Sequence, residues 1–172
     1  MAAIEIKGNE MPQVLTECVN GSVSSIFNTI IGSLPDYVGD DEDRKIGDGV
    51  VGIISFVGDV TWILMLALPR TSATKMATKF CGFDVSYESP DMGDVVGELA
   101  NVLAGDIVAR LSREGIKVAM SLPTIMRGHD VEPLLPRGLP AKKMHFSMPE
   151  GDLMIKMAGA KQGDVLGRTP GT

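Results

Sequence analysis

Basic charge, aromatic rings, histidine and cysteine are all scarce in this 172-residue chain, and each shortage narrows the field. Sixteen Lys and Arg stand against 22 Asp and Glu, so the net charge is −6. Such a surface repels phosphate backbones and anionic lipid, which weighs against a nucleic-acid or membrane-surface role. The two histidines, His129 and His145, have no metal-ligand spacing with each other or with the cysteines. Cys18 and Cys81 sit far apart in the apolar contexts ECV and FCG and read as buried free thiols. No apolar run reaches the roughly 20 residues that a membrane span needs. The most hydrophobic stretch, Val50 to Leu68, is broken by Gly52, Gly58 and Asp59. The start, MAAIEIKGNEM, has no basic segment followed by an apolar run, so no signal peptide is read. A soluble, cytoplasmic protein is expected. A small-molecule enzyme finds no Ser/His/Asp, Cys/His or metal constellation to support it.

What is present is an ordinary globular mix, 44% hydrophobic, in a chain long enough to bury a core as one domain over 1–172. Apolar residues at helical spacing (Val19, Val23, Ile26, Ile30) predict a helix over 13–33, stopped by Gly32 and Pro35. The acidic cluster Asp40, Asp41, Glu42 and Asp43 in PDYVGDDEDRKIGDG reads as a solvated turn, since a calcium loop's longer spacing and closing Glu are missing. GVVGIISFVGDVTWILMLALP predicts a hairpin of two long strands turning at Gly58-Asp59. The G-x-G-x-x-G match at 47–52 is rejected as a dinucleotide fingerprint, because an acidic loop precedes it and strand residues follow it.

Residues 71–81 predict a short helix with Thr71 or Ser72 as N-cap and Gly82 at its end. FDVSYESP reads as a loop, and a long helix follows over about 91–114, ended by Gly115. IKVAMSLPTIM reads as one strand, and its proline makes it an edge or bulged strand. RGHDVEPLLPRGLP reads as a loop. AKKMHFSMPEGDLMIKMAG reads as a second hairpin turning at 149–152, and about 159–172 as a frayed tail. The order predicts an α+β fold with a largely antiparallel sheet covered by helices. TECVNGSVSSIFNTI (16–30) aligns with GELANVLAGDIVARL (97–111), matching Glu17 to Glu98 and Asn20 to Asn101. That points to an internal duplication of an αββ unit.

The long helix poses a question. On a helical wheel with Asp94 at 0°, Glu98 falls near ~40°, Asn101 near ~340° and Gly105 near ~20°. Met92, Val96, Leu99, Leu103 and Ile107 fall between about 140° and 220°. One narrow stripe therefore faces away from the core. An exposed Gly105 costs roughly 1 kcal/mol against Ala, and Asn101 a few tenths more. Such a face is either a neutral solvated surface or one that something approaches.

Asp94-x-x-x-Glu98-x-x-Asn101-x-x-x-Gly105 resembles the signature of the CheC/CheX/FliY phosphatases of bacterial chemotaxis at all four defined positions. The flanking GELANVLAGDIVARL and LPTIMRGHD, and NGSVSSIFNTIIG near the start, are similar to the CheX branch. The resemblance implies a CheC-like fold and a CheX-like domain that dephosphorylates the phospho-aspartate of a CheY-type response regulator. It implies Glu98 and Asn101 as the catalytic pair and Asp94 and Gly105 as partner-facing. The magnesium ion would belong to the regulator, with no cofactor in this chain. A homodimer is implied as well. A carboxamide suits this chemistry, because it accepts a hydrogen bond from an in-line water and fixes it while taking no proton. A carboxylate suits pairing with the regulator's lysine. CheC-like members carry the motif twice. Here the first helix keeps Glu17 and Asn20 as a degenerate second site, with Gln13 and Ser24 at the Asp and Gly positions. The alternative is a non-catalytic module that docks a regulator or another signalling protein.

Overall fold

The computed structural model describes residues 4–40, 45–134 and 137–162. Within them are three helices: α1 (Gln13–Ile30), α2 (Arg70–Cys81) and α3 (Pro90–Arg113). The described strands are β1 (Asp36–Gly39), β2 (Asp48–Gly58), β3 (Val60–Pro69), β4 (Val118–Met120), β5 (Thr124–His129), β6 (Ala141–Ser147) and β7 (Leu153–Gln162). They form one antiparallel sheet in the order β1-β6-β7-β3-β2, with β4 and β5 sharing the outer edge of β2. This is an α+β fold.

Strand period and helix period meet in one core. Alternate residues Trp62, Leu64, Leu66 and Leu68 of β3 and Leu153, Ile155 and Met157 of β7 share a buried cluster with Val19, Val23 and Phe27 of α1 and Val96, Leu99, Leu103 and Ile107 of α3. Trp62 stacks on Phe56 with ring centroids 4.2 Å apart. All three helices therefore sit on one sheet face. The order is symmetric about the β7–β3 seam: each half supplies a helix, an outer strand and a hairpin. The outer strand of each half flanks the other half's hairpin, so β1 lies beside β6 while β4 and β5 lie beside β2. That arrangement fits the duplication read from the two helices.

Several expectations change. The segment after α1 holds a short strand, β1, which lines the edge of β6 with a register shift between Tyr37 and Gly39. Four residues that carry little hydrophobic pattern form it because β6 offers an unpaired edge. Asp40 ends this strand region, pairing with Lys142 at 3.2 Å; Asp41, Glu42 and Asp43 lie outside the described residues. Helix α1 ends at Ile30, earlier than expected, with Gly32 left-handed at φ 87°. Helix α2 starts at Arg70 directly from the strand end Pro69, so neither Thr71 nor Ser72 is its N-cap. Ser72 is instead buried, where Gly151 passes so close that a Cβ there would meet its Oγ at 2.3 Å.

The single strand expected over IKVAMSLPTIM is two. Phe56 pairs with Met120 and Ile53 with Thr124, so two residues of β2 face three of the edge: Ser121, Leu122 and Pro123. The proline marks a bulge, and β5 runs on through Arg127, Gly128 and His129, where a loop is expected. The segment 47–52 enters β2, in keeping with its rejection as a nucleotide loop. The second hairpin forms as read, but β7 continues to Gln162, into the expected tail; 163–172 lie outside the described residues. Both cysteines are free, Cys18 buried and Cys81 only partly so.

Candidate functional site

Helix α3 is seated by three contacts before its outward face matters. At its start, Ser89 stands at the N-cap and Pro90 opens the helix. Arg127 of β5 donates to the carbonyl of Tyr87 at 2.8 Å, and Arg70 lies over the Tyr87 ring at 4.3 Å. Below, Gly52 of β2 lets the helix come close: a Cβ there would stand 3.1 Å from Ala100 Cβ and 3.3 Å from Ile125 Cδ1. Beside it, α1 packs antiparallel, and the seam is polar. Ser22 Oγ donates to Asp106 Oδ2 at 2.7 Å, and Arg110 Nε donates to the same oxygen at 2.7 Å. Arg110 reaches across where a Cβ on Gly21 would meet its guanidinium at 2.8 Å. Burial pushes the Asp106 carboxyl up, but the hydrogen bonds from Arg110 and Ser22 outweigh it and hold the group below the usual carboxylate range.

The wheel's division holds in three dimensions. Met92, Val96, Leu99, Leu103 and Ile107 are all buried. Asp94, Glu98 and Gly105 are exposed, and Asn101 is half-buried between them. A Cβ on Gly105 would meet nothing within 4 Å, so no packing inside this chain requires glycine there. Among the described residues, no hydrogen bond or ion pair engages the side chains of Asp94, Glu98 or Asn101. The stripe runs between α1 on one side and the Pro123–Ile125 edge on the other. A Cβ on Gly97 would lie 3.5 Å from Ile125 Cγ1 and 3.9 Å from Pro123 Cγ.

Glu17 and Asn20 are exposed on α1 but do not join this stripe. Because α1 and α3 are antiparallel, Glu17 lies at the far end of the pair, in a shallow cleft with Arg110, Arg113 and Glu114. Its carboxylate accepts from Gln13 Nε2 at 2.6 Å.

Concave space lies elsewhere. A cleft of about 320 Å³ opens on the sheet face without helices, floored by Met65, Ala67 and Met154. A wider one of about 780 Å³ flanks the end of α2. Among the described residues no group of three or more His, Cys, Asp or Glu side chains could hold a metal ion, and no helix is long and apolar enough to cross a membrane. The proline in the strand pattern signals the bulge at Ser121–Pro123 beside the stripe, as expected of an edge or bulged strand; the split into β4 and β5 is what the pattern misses.

Solved structures share this architecture. A CheC-like superfamily protein from Shewanella sp. PV-4 is 23% identical with a TM-score of 0.74, over 86% of this chain and 98% of that one. The chemotaxis protein CheX from Vibrio vulnificus is 18% identical with a TM-score of 0.76, over 86% and 99%. A CheX–CheY–BeF3–Mg2+ complex from Borrelia burgdorferi matches at 17% identity and a TM-score of 0.71, over 86% and 98%. At these identities the likeness is one of fold. No curated protein sequence matches the chain. The family profile described as "Chemotaxis phosphatase CheX" matches residues 50–147, more than half of the sequence and the whole of α3 with its motif, and the chain belongs to that family.

Proposed function

We propose that this protein is a phosphatase that hydrolyses the aspartyl phosphate of a CheY-type response regulator in chemotaxis signalling, with Glu98 and Asn101 as its working pair. One observation carries the reading: a carboxylate, a carboxamide and a neighbourless glycine share an outward stripe that the fold itself does not use. A convex site of this kind suits a protein substrate. The Borrelia burgdorferi CheX–CheY complex is a precedent for such a partner.

An aspartyl phosphate is a mixed anhydride. Hydrolysis needs a water in line with the bond to the aspartate oxygen. The water oxygen bonds to phosphorus, the bond to the aspartate breaks, and carboxylate and inorganic phosphate leave, the water's proton passing to phosphate or solvent. Asn101 Oδ1 accepts a hydrogen bond from that water and fixes its line of attack; an amide takes no proton, so it orients and does not act as a base. Glu98 pairs with a lysine beside the phosphorylated aspartate and sets the docking register. Asp94 and Gly105 meet the regulator's loops at either end of the stripe. Magnesium, carried by the regulator, offsets phosphoryl charge. The protein acts as a homodimer in this reading, which sedimentation equilibrium tests. Glu17 and Asn20 are the residues of a degenerate second site, and Gln13 already engages the Glu17 carboxylate, which argues against its working. A Glu17→Ala/Asn20→Ala variant is expected to keep the wild-type rate, and a halved rate would make that site active.

The test of the activity is phosphate loss from a phosphorylated CheY-type regulator with and without this protein. Acceleration supports a phosphatase; binding without acceleration makes the chain a non-catalytic docking module.

A further inference from the structure

We propose that Leu122 is an apolar anchor for the response regulator, placed beside the catalytic stripe by the bulge in the edge strand. The inference rests on the docking partner assigned above. Leu122 is 86% exposed, second only to Leu134 among the exposed large apolar side chains of the described residues. It is not loose. Ser121 N donates to Ser55 O at 2.9 Å, Ser55 N donates to Ser121 Oγ at 3.0 Å, and Ser121 Oγ donates to Leu122 O at 2.9 Å. The serine thus stands in for the ladder bonds that the bulge interrupts. On the other side, Pro123 and Ile125 pack along Gly97 of α3. The extra residue is held at both ends, and its side chain is sent outward. Bulges at sheet edges re-aim side chains in this way.

Distance decides whether a partner must meet it. Gly97 lies one helical turn, about 6 Å, from Asn101. Leu122 adjoins the Pro123 that touches this turn, which places it on the order of 10 Å from Asn101. A standard interface buries about 800 Å² per partner, a disc of roughly 16 Å radius. A regulator that sets its phosphoryl group on Asn101 and buries that area covers Leu122. The opposite flank of the stripe, on α1, presents the exposed polar residues Ser25, Asn28 and Thr29. Among the described residues of the edge-strand flank Leu122 is the most exposed large apolar side chain, above Met126 at 38%, and buried apolar anchors surrounded by polar contacts carry much of the energy of protein interfaces.

The experiment measures binding of a regulator charged with beryllofluoride and magnesium by calorimetry, alongside KM and kcat for phosphate release. Leu122→Asp is expected to weaken Kd at least tenfold and raise KM in step, with kcat falling far less and the melting temperature unmoved. Leu134→Asp controls for the loss of any exposed leucine: Leu134 is 94% exposed and follows the loop on the other sheet face, and its variant is expected to bind as wild type. Asn101→Ala should show the reverse split, with kcat lost and Kd kept. Wild-type Kd and KM in Leu122→Asp overturn the proposal, as does an equal loss in Leu134→Asp. If the wild type binds but releases no phosphate, and Leu122→Asp still binds weakly, the phosphatase reading falls while the docking surface stands. If the wild type binds no charged regulator, both fall.

Discussion

At the scale of single residues, Gly105 is where the proposed docking and the needs of folding can be told apart. Its missing Cβ would enter open space, so Gly105→Ala is expected to stabilise the protein by about 0.5–1 kcal/mol in urea unfolding. Gly105→Leu should keep that stability yet weaken regulator binding, because the added side chain occupies the partner's space. Equal binding by Gly105→Leu and wild type would remove the glycine's assigned role. His129 offers a different residue-scale check. It sits between Asp48, 2.8 Å from Nδ1, and Asp130, 3.3 Å from Nε2. The hydrogen bond with Asp48, and then the charge of Asp130, raise its pKa above the ordinary value of about 6.5. The stabilisation is fully present below the unfolded value and is lost as pH rises through the folded one. An NMR titration should place the midpoint above that of a model histidine, and Asp48→Asn should lower it.

At the scale of elements, the seam between α1 and α3 fixes where the stripe points. Asp106 takes bonds from Ser22 and Arg110 in a partly buried setting, and such charge-assisted bonds contribute about 1.5–3 kcal/mol. Asp106→Asn should cost roughly that much in chemical unfolding. Its folded pKa is lowered, so its contribution is present above the unfolded value of about 3.9 and is lost as pH falls through the folded one. Wild type should therefore lose stability toward acid more steeply than the variant. Parallel acid limbs would contradict this assignment. The elements themselves are unevenly legible in the sequence. Helix α3 and both hairpins follow from period and turn residues alone, since Val, Ile and Leu at spacings of 2 or 3.6 leave one consistent answer. Strand β1 does not, because its four residues, three of them exposed, become a strand only through the edge of β6. The start of α2 is misplaced because Thr71 and Ser72 are good caps, while packing against Gly151 claims Ser72 for the core. The bulge is half legible: Pro123 announces an irregular edge strand, but the pairing partner that splits it lies far upstream, in β2.

Taken whole, the molecule puts its three helices on one face of the sheet and its catalytic candidates on the far side of those helices, away from both main clefts. The sheet's symmetric order repeats a helix-and-strands unit, yet only the second copy keeps all four motif residues. In the first, Gln13 and Ser24 replace the acid and the glycine, and Arg110 and Arg113 crowd the end of the pair where Glu17 lies. The motif's spacing and outward direction can be read from the sequence, because a helix fixes angles by residue count. The flank formed by Ser121–Pro123 can be read only as an irregular edge, because its shape comes from the register with β2. The central claim is that Asn101 orients a water without supplying a base. The most direct measurement compares wild type with Asn101→Ala for the rate of phosphate loss from a phosphorylated CheY-type regulator, with binding to the charged regulator followed in parallel. Acceleration is predicted to fall by at least a hundredfold while binding and fold persist; an Asn101→Ala protein that accelerates phosphate loss as fast as wild type would contradict the claim.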